Sequence, residues 1–256
     1  MSSDIFDLSG KVAFVTGASS GLGVQFAKAL AKQGADIAII ARRIEKLEVV
    51  KAEIEALGVR CFATTCDVLV VDEIRRAVGE IKDFYGRIDI LVNSAGVARN
   101  VPAQDQSDED WLAVINTNLN SVYYVAREVG KIMIEQNYGK IINVGSIHSN
   151  VAMAGLGISA YTSAKGGVRM LTKDLANEWA KYNITVNAIG PSYFKSEMTD
   201  SIIDSPPFQQ LLKAYCPMGR AGKPGELDGA VVYFASDASS FTTGQLLQID
   251  GGWTAI

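Results

Sequence analysis

The chain has 256 residues, of which 48% are apolar and 20% are charged, a composition typical of a soluble globular protein. Its 24 basic and 28 acidic residues give a formal net charge of −4, which argues against a sequence-independent nucleic-acid binder and a polybasic membrane anchor. No apolar run is long enough to span a membrane, and the first residues lack the pattern of a signal peptide. We therefore expect a cytoplasmic protein.

Short apolar segments alternate with helical patterns along the whole chain. The predicted strands are residues 11–16, 36–41, 59–67, 88–93, 139–145, 184–190 and 246–250. Helices are predicted at 20–33, 45–57, 71–85, 108–137 and 160–182. Strands that are apolar on both faces and alternate with helices form parallel sheets covered on both sides. The expected fold class is therefore α/β, with a doubly wound, seven-stranded parallel sheet in a single domain over 1–256.

The three cysteines are Cys61, Cys66 and Cys216, and they do not have the spacing of a zinc site. Free thiols of this kind behave as small buried hydrophobic groups in a reducing compartment. We expect buried thiols, a cytosolic location and no bound metal.

A glycine-rich segment, TGASSGLG, follows the first predicted strand and opens the first predicted helix. Glycines there permit a tight turn and let the backbone approach a pyrophosphate at the helix N-terminus. A plain strand–helix turn is the alternative, but the position in the first strand–helix–strand unit favours a dinucleotide site. The residues predicted to contact the cofactor here are Gly17, Ser19, Ser20, Gly21, Leu22 and Gly23.

The end of the second predicted strand distinguishes between the two nicotinamide cofactors. Enzymes that use NAD(H) usually carry an acidic residue there, which binds the adenine ribose hydroxyls, whereas this chain has Ala41, Arg42 and Arg43. We expect Arg42 to pair with a 2′-phosphate, so NADP(H) is predicted in preference to NAD(H). The alternative is a pair of solvated arginines at a helix start. Asp67 and Val68, after the third strand, are placed to contact the adenine ring.

A tyrosine and a lysine lie one turn apart on a predicted helix, so Tyr161 and Lys165 share one face. A nearby ammonium favours the phenolate, and we expect Lys165 to lower the pKa of a phenol that is otherwise a poor base at neutral pH. Ser146 follows the fifth predicted strand at the same edge of the sheet. Its hydroxyl is expected to hold a substrate oxygen while Tyr161 transfers a proton.

A series of motifs in chain order resembles the short-chain dehydrogenase/reductase family over nearly the whole chain. They are TGASSGLG at 16–23, Asp67-Val68, NSAG at 93–96, Asn118, Ser146, Tyr161 with Lys165, NAIGP at 187–191 and DGGW at 250–253. The resemblance implies a Rossmann fold and the NAD(P)-dependent oxidation of alcohols or reduction of ketones. It also implies a homotetramer, in which the apolar helices around 111–133 and 160–182 pair between subunits.

The resemblance assigns a role to each matching position. It implies that Tyr161 is the general acid/base, Ser146 polarises the carbonyl, and Lys165 holds the nicotinamide ribose and lowers the pKa of Tyr161. Asn118 would hold a water of the proton relay. Asn93, Ala95 and Gly96 would shape the cofactor cleft, and Ile189, Pro191 and Ser196 would face the nicotinamide. The chain departs from the family pattern at Ser94, usually Asn, and at Ser192, usually Gly.

Substrate choice is expected to depend on two segments, residues 149–159 and a lid at about 191–220. The segment between Ser146 and Tyr161 is slightly longer than usual in the family, which leaves the substrate shape open. Three segments together, PSYFKSEMT at 191–199, ARRIEKL at 41–47 and DGGWTA at 250–255, resemble gluconate 5-dehydrogenases and related sugar or polyol reductases. The same pieces occur in 3-oxoacyl-carrier-protein reductases. A small ketone or alcohol derived from a sugar acid or polyol is expected, with a 3-oxoacyl thioester, a steroid or a diketone as alternatives.

Two side chains are candidate substrate contacts, His148 and Tyr193. His148 either lines the pocket or is a hydrogen-bonded loop residue, while Tyr193 and Phe194 either stack on a ligand or pack the lid. A regulator that senses NADP(H) without turnover is a further alternative. It is disfavoured because a sensor has no need of the acid/base set at Asn118, Ser146, Tyr161 and Lys165.

Overall fold

The computed structural model describes residues 4–153, 155–197, 199–200 and 202–255. The predicted loop at 149–159 and the predicted lid at 191–220 therefore include three residues outside the description, Ala154, Met198 and Ser201. All the predicted site residues lie inside the described ranges.

A single parallel sheet forms the centre of the molecule. Its strands are β1 (Val12–Thr16), β2 (Asp36–Ala41), β3 (Cys61–Thr65), β4 (Ile90–Asn93), β5 (Gly139–Val144), β6 (Ile184–Pro191) and β7 (Leu246–Ile249). They pair in the order β3-β2-β1-β4-β5-β6-β7, each pair parallel. The α/β class with a doubly wound, seven-stranded parallel sheet is confirmed.

Helices cover both faces of the sheet. The α-helices of the described residues are α1 (Gly21–Lys32), α2 (Ile44–Glu55), α3 (Val71–Tyr85), α4 (Asp108–Ile115), α5 (Ser121–Gln136), α6 (Ser159–Trp179), α7 (Pro206–Tyr215) and α8 (Asp228–Ala235). Apolar side chains of α1, α2 and α8 form one core, and those of α3, α5 and α6 form the other. None of the helices in these ranges combines the length and apolar character that a membrane crossing requires.

The helix predicted over 108–137 is interrupted in the structure. Residues 116–120 form one π-helical turn between α4 and α5. In this turn the Ser121 hydroxyl donates to the carbonyl of Thr117 at 2.6 Å, and the Asn120 amide donates to the Asn116 side chain at 2.8 Å. Such turns are frequent at functional sites, and here the turn carries Asn118.

The strand order reverses between β1 and β4, which are neighbours in the sheet but not in the chain. In open α/β sheets a crevice opens beyond the carboxyl ends of the strands at this point. The Thr16 hydroxyl joins the two strand ends, because it accepts from the N–H groups of Ser94 at 3.1 Å and Ala95 at 3.2 Å. The topology therefore places the segments after β1 and β4 side by side.

Candidate active site

A cavity of about 560 Å³ opens at the carboxyl ends of the strands. Its wall contains these residues predicted from the sequence: Gly17, Ser19, Ser20, Gly21, Leu22, Arg42, Asp67, Val68, Ala95, Gly96, Asn118, Ser146, Tyr161, Lys165, Pro191 and Ser196. The predicted phosphate-binding turn and the predicted catalytic residues thus face one space.

Three predicted cofactor residues lie behind this wall. Gly23 packs on the turn itself, where a Cβ would lie 2.5 Å from the carbonyl oxygen of Gly17. Asn93 is buried, and its side chain donates to Asn143 at 3.0 Å, so it joins β4 to β5. The prediction that Ile189 faces the nicotinamide is wrong, because its fully buried side chain packs in the core between the sheet and α8.

The glycine-rich turn has the geometry that a pyrophosphate requires. Gly17 adopts a φ of +66°, and a Cβ there would lie 2.7 Å from the Cα of Ala95, so only glycine permits the crossing of the two segments. Ser20 places no side-chain cap on the first turn of α1. A helix N-terminus that faces a cavity with its first N–H groups uncapped is suited to an anion. The turn therefore fits the diphosphate of a dinucleotide.

Asp67 and Val68, which follow β3, line the cavity, and their contact with the adenine ring stays a prediction. The Asp67 carboxylate accepts from the N–H of Leu69 at 3.0 Å, and the backbone N–H of Asp67 donates to the Glu73 carboxylate at 2.8 Å. These two bonds fix the short turn that leads into α3, as expected for a wall against a flat ring.

Lys165 is buried on α6 and points at the end of β5. Its Nζ donates to the carbonyl of Val144 at 2.6 Å and lies 5.7 Å from the centroid of the Tyr161 ring. Burial disfavours the ammonium and lowers the pKa of Lys165 to about 8. The one-turn spacing on a helix thus brings the two side chains together as the sequence indicates.

The pKa of Tyr161 differs from the expectation. Burial raises the pKa of Tyr161 above its usual value, and the hydrogen bond with Ser146 only partly opposes this effect. The expected lowering of this pKa by Lys165 is therefore wrong. The physical reason is that burial of the phenol disfavours its charged form, while the Lys165 amine is bonded to the Val144 carbonyl. A protonated phenol is consequently the resting state near neutral pH.

A short 3₁₀ turn, Ile147–Ser149, fixes the position of Ser146 after β5. The Ser146 hydroxyl accepts from the N–H of His148 at 3.2 Å, and the Ser149 hydroxyl accepts from the N–H of Ser146 at 3.2 Å. This reciprocal capping box holds the serine in an extended backbone conformation with its hydroxyl in the cavity wall.

The Asn118 side chain binds the backbone of Val97 at two points. Its Oδ1 accepts from the N–H of Val97 at 2.9 Å, and its Nδ2 donates to the carbonyl of the same residue at 2.7 Å. The side chain therefore positions the segment after β4. The contact between Asn118 and a relay water stays a prediction.

His148 is buried beside Tyr161 and does not line the main cavity. Its Nδ1 lies 3.1 Å from the carbonyl oxygen of Val151, and burial lowers its pKa. The imidazole lies edge-on to the phenol of Tyr161, with 6.1 Å between ring centroids. Of the two interpretations of His148, the structure supports the hydrogen-bonded loop residue. A substrate contact of His148 stays a prediction.

Tyr193 packs in an aromatic group between the lid and the C-terminal tail, also outside the wall of the main cavity. Its ring lies 4.8 Å from that of Phe208 and 5.4 Å from that of Trp253, measured between centroids. Burial raises its pKa to about 12. Of the two interpretations, lid packing is the one that these contacts support. Phe194 is buried next to it and does contribute to the cavity wall.

Sequence reasoning missed a set of ion pairs at the mouth of the cavity. Glu197, in the lid, accepts from Arg43 Nη2 at 2.9 Å and from Lys46 Nζ. The same Arg43 nitrogen donates to the hydroxyls of Ser19 at 3.1 Å and Ser20 at 3.2 Å. Hydrogen bonds from the two cations lower the pKa of Glu197 to about 2. Arg43 stood next to Arg42 in the sequence, but no local pattern pointed to Glu197.

Comparisons with known proteins agree with this geometry. A family model described as enoyl-(acyl carrier protein) reductase matches residues 17–254. Gluconate 5-dehydrogenase from Gluconobacter oxydans is 40% identical over 98% of this chain and 97% of its own length. 5-Keto-D-gluconate 5-reductase from Escherichia coli is 38% identical over 97% of each chain. The chain belongs to the short-chain dehydrogenase/reductase family.

Among solved structures, a gluconate 5-dehydrogenase from Burkholderia cenocepacia in complex with NADP and tartrate superimposes with a TM-score of 0.95. It is 38% identical to this chain, and the match covers 99% of this chain and 98% of that protein. As a short-chain dehydrogenase/reductase, the chain is an NAD(P)-dependent oxidoreductase that acts on CH–OH donors.

The two departures of this short-chain dehydrogenase/reductase from the family pattern are accommodated without loss of backbone bonding. The N–H of Ser94 donates to the Thr16 hydroxyl, and the N–H of Ser192 donates to the carbonyl of Ile249 at 3.2 Å. Both residues line the cavity.

Proposed function

We propose that this protein interconverts a secondary alcohol and a ketone of a sugar acid, such as gluconate and 5-ketogluconate, with NADP(H). The observation that carries the proposal is the presence of Ser146, Tyr161 and Lys165 in one cavity with a glycine-rich phosphate turn. The relatives named as gluconate dehydrogenases and ketogluconate reductases support this substrate class.

In the direction of reduction, the substrate carbonyl oxygen accepts hydrogen bonds from the Ser146 hydroxyl and the Tyr161 phenol. Because burial keeps Tyr161 protonated, its O–H proton moves to the oxygen as negative charge develops there. The cofactor, when bound, supplies the hydride or accepts it in the reverse direction. Lys165 would hold the nicotinamide ribose, and Asn118 would support the path by which Tyr161 regains a proton.

A preference for NADP(H) over NAD(H) is supported by the charges after β2. Arg42 and Arg43 stand where an enzyme specific for NAD(H) usually carries an acid, and Lys46 lies one turn further along. Arg42 and Arg43 line the cavity, and Arg43 bonds to the serine hydroxyls of the phosphate turn. Guanidinium groups recognise phosphate through paired N–H donors.

A hydrophilic substrate is supported over the acyl thioester, steroid and diketone alternatives by the polar side chains in the cavity wall. Arg99, Asn118, Ser146 and Ser192 all line it. Hydroxyl, amide and guanidinium groups suit a polyhydroxy acid, whereas a long acyl chain or a steroid requires an extended apolar surface.

We also propose a homotetramer in the cytoplasm. Apolar side chains on α4, α5 and α6 are exposed on the single chain, including Leu112, Tyr123 and Met170. Exposed apolar groups on adjacent helices are typical of a subunit interface. The cysteines are free and buried, as expected for a protein of a reducing compartment.

The test of the proposal is Tyr161→Phe, assayed with NADPH and a panel of 5-ketogluconate, an acetoacetyl thioester, a steroid ketone and a small diketone. We expect 5-ketogluconate to be the best substrate of the unaltered enzyme. The substitution should reduce turnover by about 10²–10⁴-fold, because it removes the proton donor and leaves the ring in place.

The matched control is Tyr182→Phe, which removes a phenol in the 3₁₀ turn that follows α6 and should retain full activity. NADPH binding should persist in both variants. A loss below about 10-fold in Tyr161→Phe would remove the acid/base assignment. If the thioester, steroid or diketone were turned over faster than 5-ketogluconate, the proposed substrate class would be wrong and the proposed reaction type would stand.

A further inference from the structure

Glu197 belongs to the segment after β6, yet its carboxylate binds the start of α2 on the other side of the cavity mouth. Its Oε2 lies 2.9 Å and its Oε1 3.4 Å from the two terminal nitrogens of Arg43. Its Oε1 also accepts from Lys46. We name Glu197, Arg43 and Lys46 the Glu197 bridge.

The bridge lies directly on the phosphate-binding turn. The Arg43 nitrogen that binds Glu197 also binds the hydroxyls of Ser19 and Ser20. The neighbouring Ser196 closes on the same turn, because a Cβ on Gly21 would lie 3.3 Å from its Cβ. The Glu197 carboxylate therefore pairs with the same cations, Arg43 and Lys46, that an anionic group on the adenine ribose would need.

The Glu197 bridge is built so that a stronger anion can open it. Its side chains keep large exposed fractions, 41% for Arg43, 41% for Lys46 and 51% for Glu197. Exposed ion pairs of this kind are weak because water screens them. A phosphate brings up to two negative charges and three acceptor oxygens to the same cations, against one charge on the carboxylate.

We propose that Glu197 is a specificity-determining residue that competes with the 2′-phosphate of NADP(H) for Arg43 and Lys46. This inference rests on the proposed preference for NADP(H). The 2′-phosphate displaces the carboxylate and releases this end of the lid, whereas NAD(H) carries only a ribose hydroxyl there and leaves the bridge closed. Because a ligand shifts an equilibrium only through its different affinities for the two states, the effect must depend on the 2′-phosphate.

The experiment measures binding of adenosine 2′,5′-bisphosphate and of 5′-AMP by calorimetry, in the full-length protein and in Glu197→Gln. Glutamine keeps the size of the side chain and removes the competing charge. We expect the bisphosphate to bind about 5-fold more tightly to Glu197→Gln, the size expected from two exposed ion pairs. The affinity for 5′-AMP should stay unchanged.

The matched control is Asp204→Asn, which removes another lid carboxylate. Asp204 accepts from Lys195 at 3.1 Å and has no bond to the phosphate turn among the described residues. It should change neither affinity. A second readout is hydrogen exchange in lid peptides that contain Glu197. The bisphosphate should speed exchange in the unaltered protein, 5′-AMP should not, and Glu197→Gln should exchange fast without ligand.

Two negative results have different meanings. If the unaltered protein prefers the bisphosphate over 5′-AMP but Glu197→Gln binds it equally or more weakly, the competition is overturned and the cofactor preference stands. If the unaltered protein shows no preference for the bisphosphate, the proposed use of NADP(H) fails and the inference fails with it. A normal thermal unfolding curve for Glu197→Gln shows that the variant is folded in either case.

Discussion

Burial of the single residue Lys165 lowers the stability of the folded protein at neutral pH. The side chain is 4% exposed, and burial lowers its pKa to about 8, from 10.5 in an unperturbed lysine. Below its folded pKa the amine is charged in both states, but the folded state holds the charge in an apolar setting. The folded chain is therefore penalised at neutral pH, and this penalty is relieved as the pH rises from about 8 to 10.5.

Lys165→Met should raise the free energy of unfolding at pH 7 by about 2 kcal/mol, while it abolishes turnover. The gain should shrink as the pH rises from about 8 to 10.5, because over this range the folded Lys165 of the unaltered protein is neutral while the unfolded lysine still binds a proton. Urea unfolding at pH 7 and pH 10 measures the difference. Lys173→Met, an exposed substitution on the same helix, should leave stability nearly unchanged. A less stable Lys165→Met at pH 7 would contradict this view of the buried amine.

At the scale of elements, the π-helical turn between α4 and α5 and the segment after β4 hold each other in place. Asn118 bonds both backbone groups of Val97. The fit depends on Gly96, where a Cβ would lie 2.8 Å from the Oδ1 of Asn118. Gly96 has no positive φ, so the demand for glycine is one of space alone.

Gly96→Ala should therefore cost about 1–3 kcal/mol of stability and reduce turnover, because the Asn118 side chain must leave one buried bond. Gly79→Ala is the matched control, and we expect it to raise the stability that Gly96→Ala lowers. Gly79 is on the exposed face of α3, and a Cβ there meets nothing within 4 Å. Alanine at this position should stabilise the chain by about 0.5–1 kcal/mol. Equal unfolding midpoints for the two variants would disprove the steric explanation.

Strands and helices were predictable from sequence where they depend on local periodicity. The buried strands and the Tyr161–Lys165 helix follow from such patterns, and the structure places them as expected. Helical periodicity did not predict the π-helical turn, whose Asn118 bonds to Val97, a partner in another segment. The Glu197 bridge also escaped prediction, since its partners at Arg43 and Lys46 are brought near only by the fold.

At the scale of the whole molecule, the C-terminal tail connects the lid to the 3₁₀ turn at Ile147–Ser149. Trp253 packs with Ile147, the residue after Ser146, and with Leu212 and Cys216 at the lid helix α7. Asp250 fixes the tail, since its carboxylate accepts from the N–H groups of Gly252 and Thr254, each at 2.9 Å. The DGGW motif, met in the sequence only as a family signature, thus has a structural role.

Because Trp253 stacks on Tyr215 with 5.8 Å between centroids and contacts Tyr193 at 5.4 Å, its removal should loosen the lid more than the cofactor site. Trp253→Ala should raise KM for 5-ketogluconate on the order of 10-fold with a smaller change in kcat, since the lid orders the substrate. Binding of NADPH should stay the same, because the glycine-rich turn lies outside this contact group.

The lost burial of Trp253, which is 6% exposed, should also lower the free energy of unfolding by about 3–5 kcal/mol. Trp253→Phe should restore most of both properties, and Trp111→Ala, at a half-exposed position on α4, should alter neither KM nor NADPH binding. Steady-state kinetics with calorimetric titration of NADPH separates the two effects. If Trp253→Ala weakened NADPH binding as much as it raised KM, the tail would act on the whole cavity, and its assignment to the lid would be wrong.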